Sequence, residues 1–188
     1  DLRMSRGLGD VYKRQLHGGV ITAMGTFFVF SDYMKPAIRM AALMRTPVKF
    51  IYSHDAFRVG EDGPTHQPVE HEAQLRLMEK LQNHMGEDSV RVFRAADADE
   101  MTVCWQMAME NMDTPTALIL SRQNIKSLPE GNDYQKARKG AYVVAGSDEQ
   151  YDVILLASGS EVSTLVEGAE LLRKDGVRCL SLIHISEP

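Results

Sequence analysis

The chain has 188 residues, of which 44% are hydrophobic and 25% charged, and its formal net charge is −5. This is an ordinary globular composition, and the acidic balance argues against a general nucleic-acid or anionic-membrane surface. Two isolated cysteines, Cys104 and Cys179, indicate a reducing cytoplasm rather than a disulfide scaffold, and we expect neither a membrane-spanning run nor a signal peptide.

Both ends of the chain differ in character from the rest. Residues 1–15 show neither helical nor strand periodicity, and Arg6–Gln15 resembles translated sequencing adapter. The closing segment, Leu182–Pro188, resembles the same kind of scar. We therefore expect residues 1–15 and 181–188 to be non-native and the chain to be cut at both sides. The alternative is a genuine disordered arm and a genuine last strand.

The first elements are a short strand and an apolar helix. Leu16–Phe30 is apolar and rich in glycine, which allows a short strand and a loop. A mostly apolar helix follows over Ile38–Met44, with Ser31 or Asp32 as its N-cap and Pro36 in its first turn. A helix this apolar should be buried on more than one side.

Strands and helices then alternate, which predicts a parallel α/β sheet with helices on both faces. Asp97, with Glu100 three residues later, fits a capping box at the start of a helix. The predicted segments are strands over Val48–Tyr52, Val90–Arg94 and Thr116–Leu120, and helices over Val69–His84 and from Asp97 to about Met112.

A second α/β domain is predicted near the end of the chain. A strand over Tyr151–Ala157, a helix to about Lys174 and a strand from Val177 form a first βαβ unit. The polar segment before it, which contains proline and glycine, has the character of a linker. The predicted division is residues 16–125 for the first domain, 126–150 for the linker and 151–180 for the start of the second domain.

The segment Ser53–Glu70, called the central loop here, carries most of the candidate chemistry. Its glycines and prolines forbid both helix and strand, and it follows a buried strand, where α/β proteins usually bind ligands. Right-handed crossovers place the loop after Leu120 at the same carboxyl edge of the sheet. We therefore expect Arg122 to lie near the central loop.

Four polar residues at this edge suit a phosphorylated sugar. Asp62 and His66, four positions apart in a stiff loop, can hold neighbouring hydroxyls of a polyol. His54 and Arg122 supply cationic donors for a phosphate. Taken singly, each of these residues has a commoner structural explanation, such as a solvated loop histidine or a surface cation.

An aromatic patch, Phe27, Phe30 and Tyr33, could stack on a planar cofactor ring, although such spacing is more often core packing.

A metal site and a catalytic cysteine are not expected. The spacing of His54, Asp62, His66 and His71 matches no zinc pattern. Cys104 lies within a predicted helix and should be inert packing.

Several segments together resemble the transketolase family. The Gly-Glu-Asp-Gly-Pro-Thr-His-Gln-Pro string is highly specific, and the resemblance extends from Leu16 to about Cys179. Deoxyxylulose phosphate synthases share part of this string but usually have Gly where this chain has Pro68. The segments that carry the resemblance are Gly25–Phe30, Ile38–Met44, Ser53–Asp55, Gly60–Glu70, Leu118–Asn124 and Ala157–Val162.

The resemblance implies a thiamine-diphosphate enzyme of the pentose phosphate pathway, which moves a two-carbon ketol unit between phosphorylated sugars. The parent enzyme would be a cytoplasmic homodimer with the cofactor between its two subunits, and it would also hold Mg²⁺ or Ca²⁺, whose ligands lie outside this chain. By similarity, Phe30 stacks on the aminopyrimidine, Phe27 and Tyr33 line that pocket, Asp62 and His66 bind donor hydroxyls, His66 also assists proton transfer, and His54 and Arg122 hold the phosphate.

The resemblance also implies missing parts. The family's ylide-forming Glu lies upstream of Leu16–Gly19, and its metal and diphosphate ligands belong to an N-terminal domain, so we expect the chain alone to be inactive. The alternatives are a non-catalytic, partner-dependent subunit, a stand-alone sugar-phosphate binder, or a related dihydroxyacetone or deoxyxylulose phosphate synthase.

Overall fold

The computed structural model describes residues 9, 11, 16–55, 59–129, 132–146 and 150–184. Most of the two ends expected to be non-native, and residues 56–58 of the central loop, lie outside the described residues.

Within the described residues, two sheets and four α-helices are formed. The strands are β1 (Ala23–Phe27), β2 (Lys49–Ser53), β3 (Arg91–Phe93), β4 (Thr116–Ile119), β5 (Ala141–Ala145), β6 (Val153–Ala157) and β7 (Cys179–His184). The α-helices are α1 (Lys35–Leu43), α2 (His71–Glu79), α3 (Ala98–Glu110) and α4 (Glu161–Lys174). Three 3-10 helices cover Phe28–Tyr33, Pro64–His66 and Tyr134–Lys139.

The first sheet is parallel and has the order β1-β2-β4-β3. Strand β4, one of the two inner strands, is buried at all four residues, as expected for a parallel sheet covered on both faces. The α/β class predicted from the alternation of strands and helices is therefore confirmed. Parallel pairing also brings the carboxyl ends of β1, β2 and β4 to one edge, which positions the candidate site.

The second sheet is mixed and has the order β5-β7-β6. Strands β6 and β7 are parallel and are joined through α4, as the predicted βαβ unit requires. Within residues 126–150, for which a linker is predicted, the described residues form a 3-10 helix and strand β5, which pairs antiparallel with β7. The division into domains stays a prediction. Strand β7 also includes residues 181–184, four residues expected to be non-native, and the origin of these residues stays a prediction.

The start of the apolar helix differs from the prediction. Ser31 and Asp32 lie in a 3-10 helix, and the residue before α1 is Met34, which makes no side-chain capping bond. Pro36 does lie in the first turn of α1, where its missing N–H costs nothing. Two apolar residues of α1, Met40 and Leu43, are exposed, so this helix is less buried than the sequence predicts.

Helix α2 is shorter than the periodicity of the sequence predicts and ends at Glu79 rather than near His84. The side-chain oxygen of Asn83 accepts hydrogen bonds from the backbone N–H groups of Met85 and Glu87, at 2.8 and 3.1 Å. An asparagine that binds nearby backbone in this way stabilises a turn in competition with the helix.

The start of α3 matches the prediction at Asp97, whose carboxylate accepts a hydrogen bond from Glu100 N at 2.9 Å. The return bond of a capping box is shifted by one residue, because the Glu100 carboxylate accepts from Ala96 N. Glu100 is fully buried, and burial raises the pKa of its carboxyl group. It also accepts a hydrogen bond from the Tyr142 hydroxyl on β5 at 2.7 Å.

The two sheets share one of the two hydrophobic clusters formed by the described residues. Phe93 and Val103, from the first sheet and its helices (the first unit), pack in the same cluster as Tyr142, Val162 and Ile183, from the second sheet and its helix (the second unit). Helix α3 therefore lies where the two units meet. Among the described residues, no helix is long and apolar enough to cross a membrane.

Lys49 on β2 is a fully buried ammonium that donates to the backbone oxygen of Asn111 at 2.9 Å. Burial, with a smaller contribution from Arg91, lowers the pKa of Lys49 to about 8. In the unfolded chain Lys49 keeps its proton up to its ordinary pKa of 10.5. Below pH 8 the folded chain must hold the same proton at a buried site, which lowers the free energy of unfolding.

Replacing Lys49 with Met should remove a pH dependence of stability. Between pH 7 and pH 9, Lys49 holds more protons in the unfolded chain than in the folded one. The free energy of unfolding of the wild type should therefore rise by about 1 kcal/mol over this range, relative to Lys49→Met. Urea unfolding of the wild type and Lys49→Met at both values measures this as a difference. The comparison stops at pH 9 because burial raises the pKa of Cys104, and above its ordinary value of 9.0 this thiol acts in the opposite direction. If the free energies of unfolding of the two proteins differ by the same amount at pH 7 and at pH 9, the prediction is contradicted.

Candidate functional site

The predicted polar residues meet at the carboxyl edge of the first sheet. His54 follows the last residue of β2, and Arg122 lies three positions after the last residue of β4. Arg122 Nε lies 3.4 Å from Asp62 Oδ2 in the central loop, so the predicted proximity of Arg122 to the loop is confirmed. Gly60 has φ of +82°, and a Cβ at that position would lie 3.0 Å from Arg122 Nη1, so glycine permits this close approach.

His54 adopts a left-handed backbone conformation with φ of +62°, which is uncommon for a residue with a side chain. Its imidazole stacks on Phe27, with ring centroids 3.7 Å apart and an interplanar angle of 22°. Nδ1 lies 2.9 Å from Ser53 Oγ, and Nε2 lies 3.9 Å from Asp62 Oδ2. The unusual backbone thus aims the ring into the site rather than into solvent.

Asp62 presents one carboxylate oxygen between two basic side chains. Oδ2 is buried and makes no hydrogen bond among the described residues, although Arg122 and His54 lie 3.4 and 3.9 Å away. A buried carboxylate oxygen without a hydrogen bond is costly. A ligand hydroxyl donating to this oxygen would remove that cost.

His66 ends the 3-10 helix Pro64–His66, and its Nδ1 lies 2.8 Å from Thr65 Oγ1. Its ring meets two aromatic rings edge-on, with centroids 6.0 Å from Phe27 and 5.4 Å from Phe30. His66 therefore lies where the polar loop meets the aromatic patch.

The aromatic patch is continuous. Phe27 and Phe30 are nearly parallel, with centroids 6.1 Å apart and an angle of 17°, and Phe30 lies 6.2 Å from Tyr33. Tyr33 is 42% exposed, whereas the aromatic residues of the core are buried. The patch thus offers an accessible aromatic surface on which a planar heteroaromatic ring could stack.

His71 lies apart from the other histidines. Asp32, Glu70 and His71 bring ligand atoms within 4.8 Å of one another, which is the single such group in the described part of the chain. His71 Nε2 lies 3.2 Å from Asp32 Oδ2, while Lys35 Nζ lies 2.5 Å from Asp32 Oδ1. The ammonium therefore already neutralises the carboxylate that a cation would need.

A buried ion-pair network behind the site was missed in the sequence. Arg94 is 4% and Asp55 2% exposed, and Arg94 Nη2 lies 2.8 Å from Asp55 Oδ2. Burial acts to lower the pKa of Arg94, but the surrounding carboxylates, led by Glu72, outweigh burial and raise it above its ordinary value. The rule that placed Arg122 at this edge could have placed Arg94 there too, since it ends a predicted strand.

Comparison with known proteins identifies the family. The family model of the transketolase pyrimidine-binding domain matches residues 14–127. The chain belongs to the transketolase family. A second model, of the transketolase-like C-terminal domain, matches residues 140–184. The resemblance carried by the central loop and its neighbouring segments is therefore confirmed.

Individual relatives agree with this assignment. A transketolase from Halalkalibacterium halodurans is 50% identical over 164 residues, which cover 86% of this chain and 23% of the relative. The transketolase structure from Leishmania mexicana has a TM-score of 0.80 at 37% identity, covering 90% of this chain and 23% of that one. A Pichia stipitis transketolase described as a complex with sedoheptulose 7-phosphate has a TM-score of 0.77 at 34% identity, covering 88% and 23%. The chain thus spans about a quarter of these relatives.

Proposed function

We propose that this chain is part of a thiamine-diphosphate-dependent transketolase, which transfers a two-carbon ketol unit from a ketose phosphate to an aldose phosphate. The observation that carries the proposal is the meeting of His54, Asp62, His66 and Arg122 beside an aromatic patch at one sheet edge. The solved relative with a bound seven-carbon sugar phosphate supports the class of substrate.

The aromatic patch fits the pyrimidine ring of the cofactor. Phe30 would stack on the aminopyrimidine, with Phe27 and the exposed Tyr33 lining the same pocket. When bound, thiamine diphosphate supplies a carbanion for addition to the ketose carbonyl and then an electron sink. The ligands of the diphosphate and of Mg²⁺ or Ca²⁺ would come from other parts of the parent enzyme, which we propose to be a homodimer.

The polar residues would bind different parts of the sugar phosphate. Asp62 Oδ2, buried and without a hydrogen bond among the described residues, would accept from a donor hydroxyl. His66, next to the aromatic patch, would bind a second hydroxyl and move a proton at the reacting carbons. His54 and Arg122 would hold the phosphate as charge-assisted donors.

Replacing Arg122 with Ala tests the phosphate role. Isothermal titration with a pentose phosphate should show binding about 10 to 100 times weaker, because a charge-assisted contact contributes roughly 1.5–3 kcal/mol. Titration with the same sugar lacking its phosphate should be unaffected by the substitution. Arg138→Ala is the matched control, since Arg138 pairs with Glu110 away from the site. Equal losses for both sugars would contradict a phosphate contact.

The 188-residue chain by itself should show no ketol transfer, because the resemblance assigns the ylide-forming Glu and the metal domain to other parts of the enzyme. An assay of the purified chain with thiamine diphosphate, Mg²⁺ and both sugar phosphates measures this, with an intact transketolase as positive control. Turnover by the chain alone would refute the expected inactivity of the chain and would leave the proposed transketolase function in place. A partner-dependent subunit would gain activity only with a separately added partner, and a stand-alone binder would hold sugar phosphate equally with and without the cofactor.

A further inference from the structure

Arg94 contacts residues at both ends of the central loop. Its Nη2 lies 2.8 Å from Asp55 Oδ2 near the start of the loop, and its Nη1 lies 3.1 Å from Glu72 Oε2, two residues after the loop ends. One guanidinium therefore bridges two carboxylates that are 17 positions apart in the chain. A planar cation with several fixed donors is suited to such a bridge, which a single point charge would make less well.

The same guanidinium also contacts the second unit. Arg94 Nη2 lies 2.7 Å from Glu161 Oε2, and Nη1 donates to Ser158 Oγ at 3.0 Å. Ser160 Oγ donates to Asp55 Oδ2 at 2.9 Å, which ties the start of α4 directly to the central loop. Gly159 between these serines has φ of +57°, and a Cβ there would lie 2.6 Å from Arg94 Nε. Packing around the guanidinium is thus close on this side.

Asp55, whose carboxylate Arg94 and Ser160 bind, is the immediate neighbour of His54. Asp55 N donates to Leu120 O at 3.2 Å, and its carboxylate is held by Arg94 and Ser160. The left-handed backbone of His54 costs about 1 kcal/mol or more, and such strain persists only where the surroundings hold it. A fixed Asp55 restricts the backbone of His54 and so keeps its imidazole on Phe27.

We propose that Arg94 is a positioning residue, which closes the base of the central loop and holds the His54 imidazole on Phe27 through Asp55. Because Ser160 and Glu161 share the same cluster, docking of the second unit contributes to the geometry of the site. The positional part of this inference is independent of the reaction, whereas its consequence for sugar binding rests on the proposed function.

A purely structural role for Arg94 makes a different prediction. An ion pair that only stabilises the fold would change the unfolding midpoint and leave the His54 ring in place in every variant that folds. A positioning role changes the environment of the ring even where the fold is retained. The aromatic NMR signal of His54 separates the two roles, since a ring 3.7 Å from Phe27 experiences its ring current.

The experiment uses the full 188-residue chain with Arg94→Met, Arg94→Lys and Ser160→Ala. The His54 signal is assigned by its loss in His54→Asn. Ser160→Ala removes one hydrogen bond to Asp55 and is the mildest variant, so it decides the matter if Arg94→Met does not fold. Arg138→Met is the matched control, because it breaks an arginine–carboxylate pair far from the central loop.

We expect the His54 signal to move toward that of a solvated histidine, most in Arg94→Met and by smaller amounts in Arg94→Lys and Ser160→Ala. Amides of residues 59–70 should exchange with solvent several times faster in the same order, and Arg138→Met should change neither. The proposal is overturned if folded Ser160→Ala and Arg94→Lys keep the wild-type signal and exchange rates. Pentose phosphate binding, measured on the same samples, reports separately on the proposed function: a shifted His54 signal in a chain that binds no sugar would support the positioning role and count against the function.

Discussion

Arg94→Met should lower the free energy of unfolding by about 3–5 kcal/mol, the range for breaking one side of a buried ion pair. The substitution leaves the Asp55 carboxylate, which is 2% exposed, with Ser160 as its remaining side-chain partner among the described residues. Methionine keeps much of the volume of the arginine side chain, so most of the loss should come from the uncompensated charge rather than from a cavity. Urea unfolding of the purified chain, followed by circular dichroism, measures the change.

Arg138→Met provides the control for this measurement. Arg138 makes a two-point contact with Glu110 at 2.8 and 3.1 Å, but both residues face solvent. Exposed pairs contribute little to stability, so the control should unfold close to the wild type. A loss for Arg94→Met no larger than that of Arg138→Met would mean that the buried network contributes nothing net to folding, and the buried charges would then need another explanation.

Asp97→Ala should destabilise the chain by about 2–4 kcal/mol. The Asp97 carboxylate caps α3 by accepting from Glu100 N at 2.9 Å, and it also accepts from Leu128 N at 2.8 Å and from the Tyr134 hydroxyl at 3.1 Å. An N-cap contributes about 1 kcal/mol, and each buried donor left without its acceptor costs a further 1 kcal/mol or more. The substitution therefore releases both the start of α3 and the segment that leads to the second unit.

A second cap in the same chain offers a matched control for Asp97→Ala. Asp133 caps a 3-10 helix by accepting from Gln135 N at 3.2 Å, but it is exposed and serves this one donor among the described residues. Asp133→Ala should cost clearly less when both variants are unfolded in urea. Equal losses would show that the contacts of Asp97 to Leu128 and Tyr134 do not stabilise the native state.

The sequence determined the parallel sheet and much of the candidate site because both depend on local pattern. Short apolar runs separated by helix-like segments require a sheet buried on both faces, and right-handed crossovers fix which strand ends share an edge. This was sufficient to bring Arg122 to Asp62 across 60 positions of the chain. The concentration of glycine, proline and titratable residues in the central loop likewise indicates the candidate site from the sequence alone.

The tertiary structure decided features that depend on partners distant in sequence. Strand β5 is a short apolar run inside an otherwise polar segment, and it is completed by its antiparallel pairing with β7, some forty residues later. Helix α2 ends at Glu79 because a turn replaces its next residues: Asn83 N, which a longer helix would need, donates to Glu87 O at 2.7 Å, and the Asn83 side chain accepts from the backbone of Met85 and Glu87. In both cases hydrogen bonds formed in the folded chain set the bounds of the element.

The same distinction explains why Arg94 was missed. Arg94 is the last residue of a predicted apolar strand and belongs to no motif. Its importance comes from two carboxylates at the ends of the central loop and from a third at the start of α4. A sequence reveals which residues can carry charge, but burial and the number of opposing charges decide what that charge does. The left-handed backbone of His54 belongs to the same class, because a single non-glycine residue is held there by its surroundings and not by its own preference.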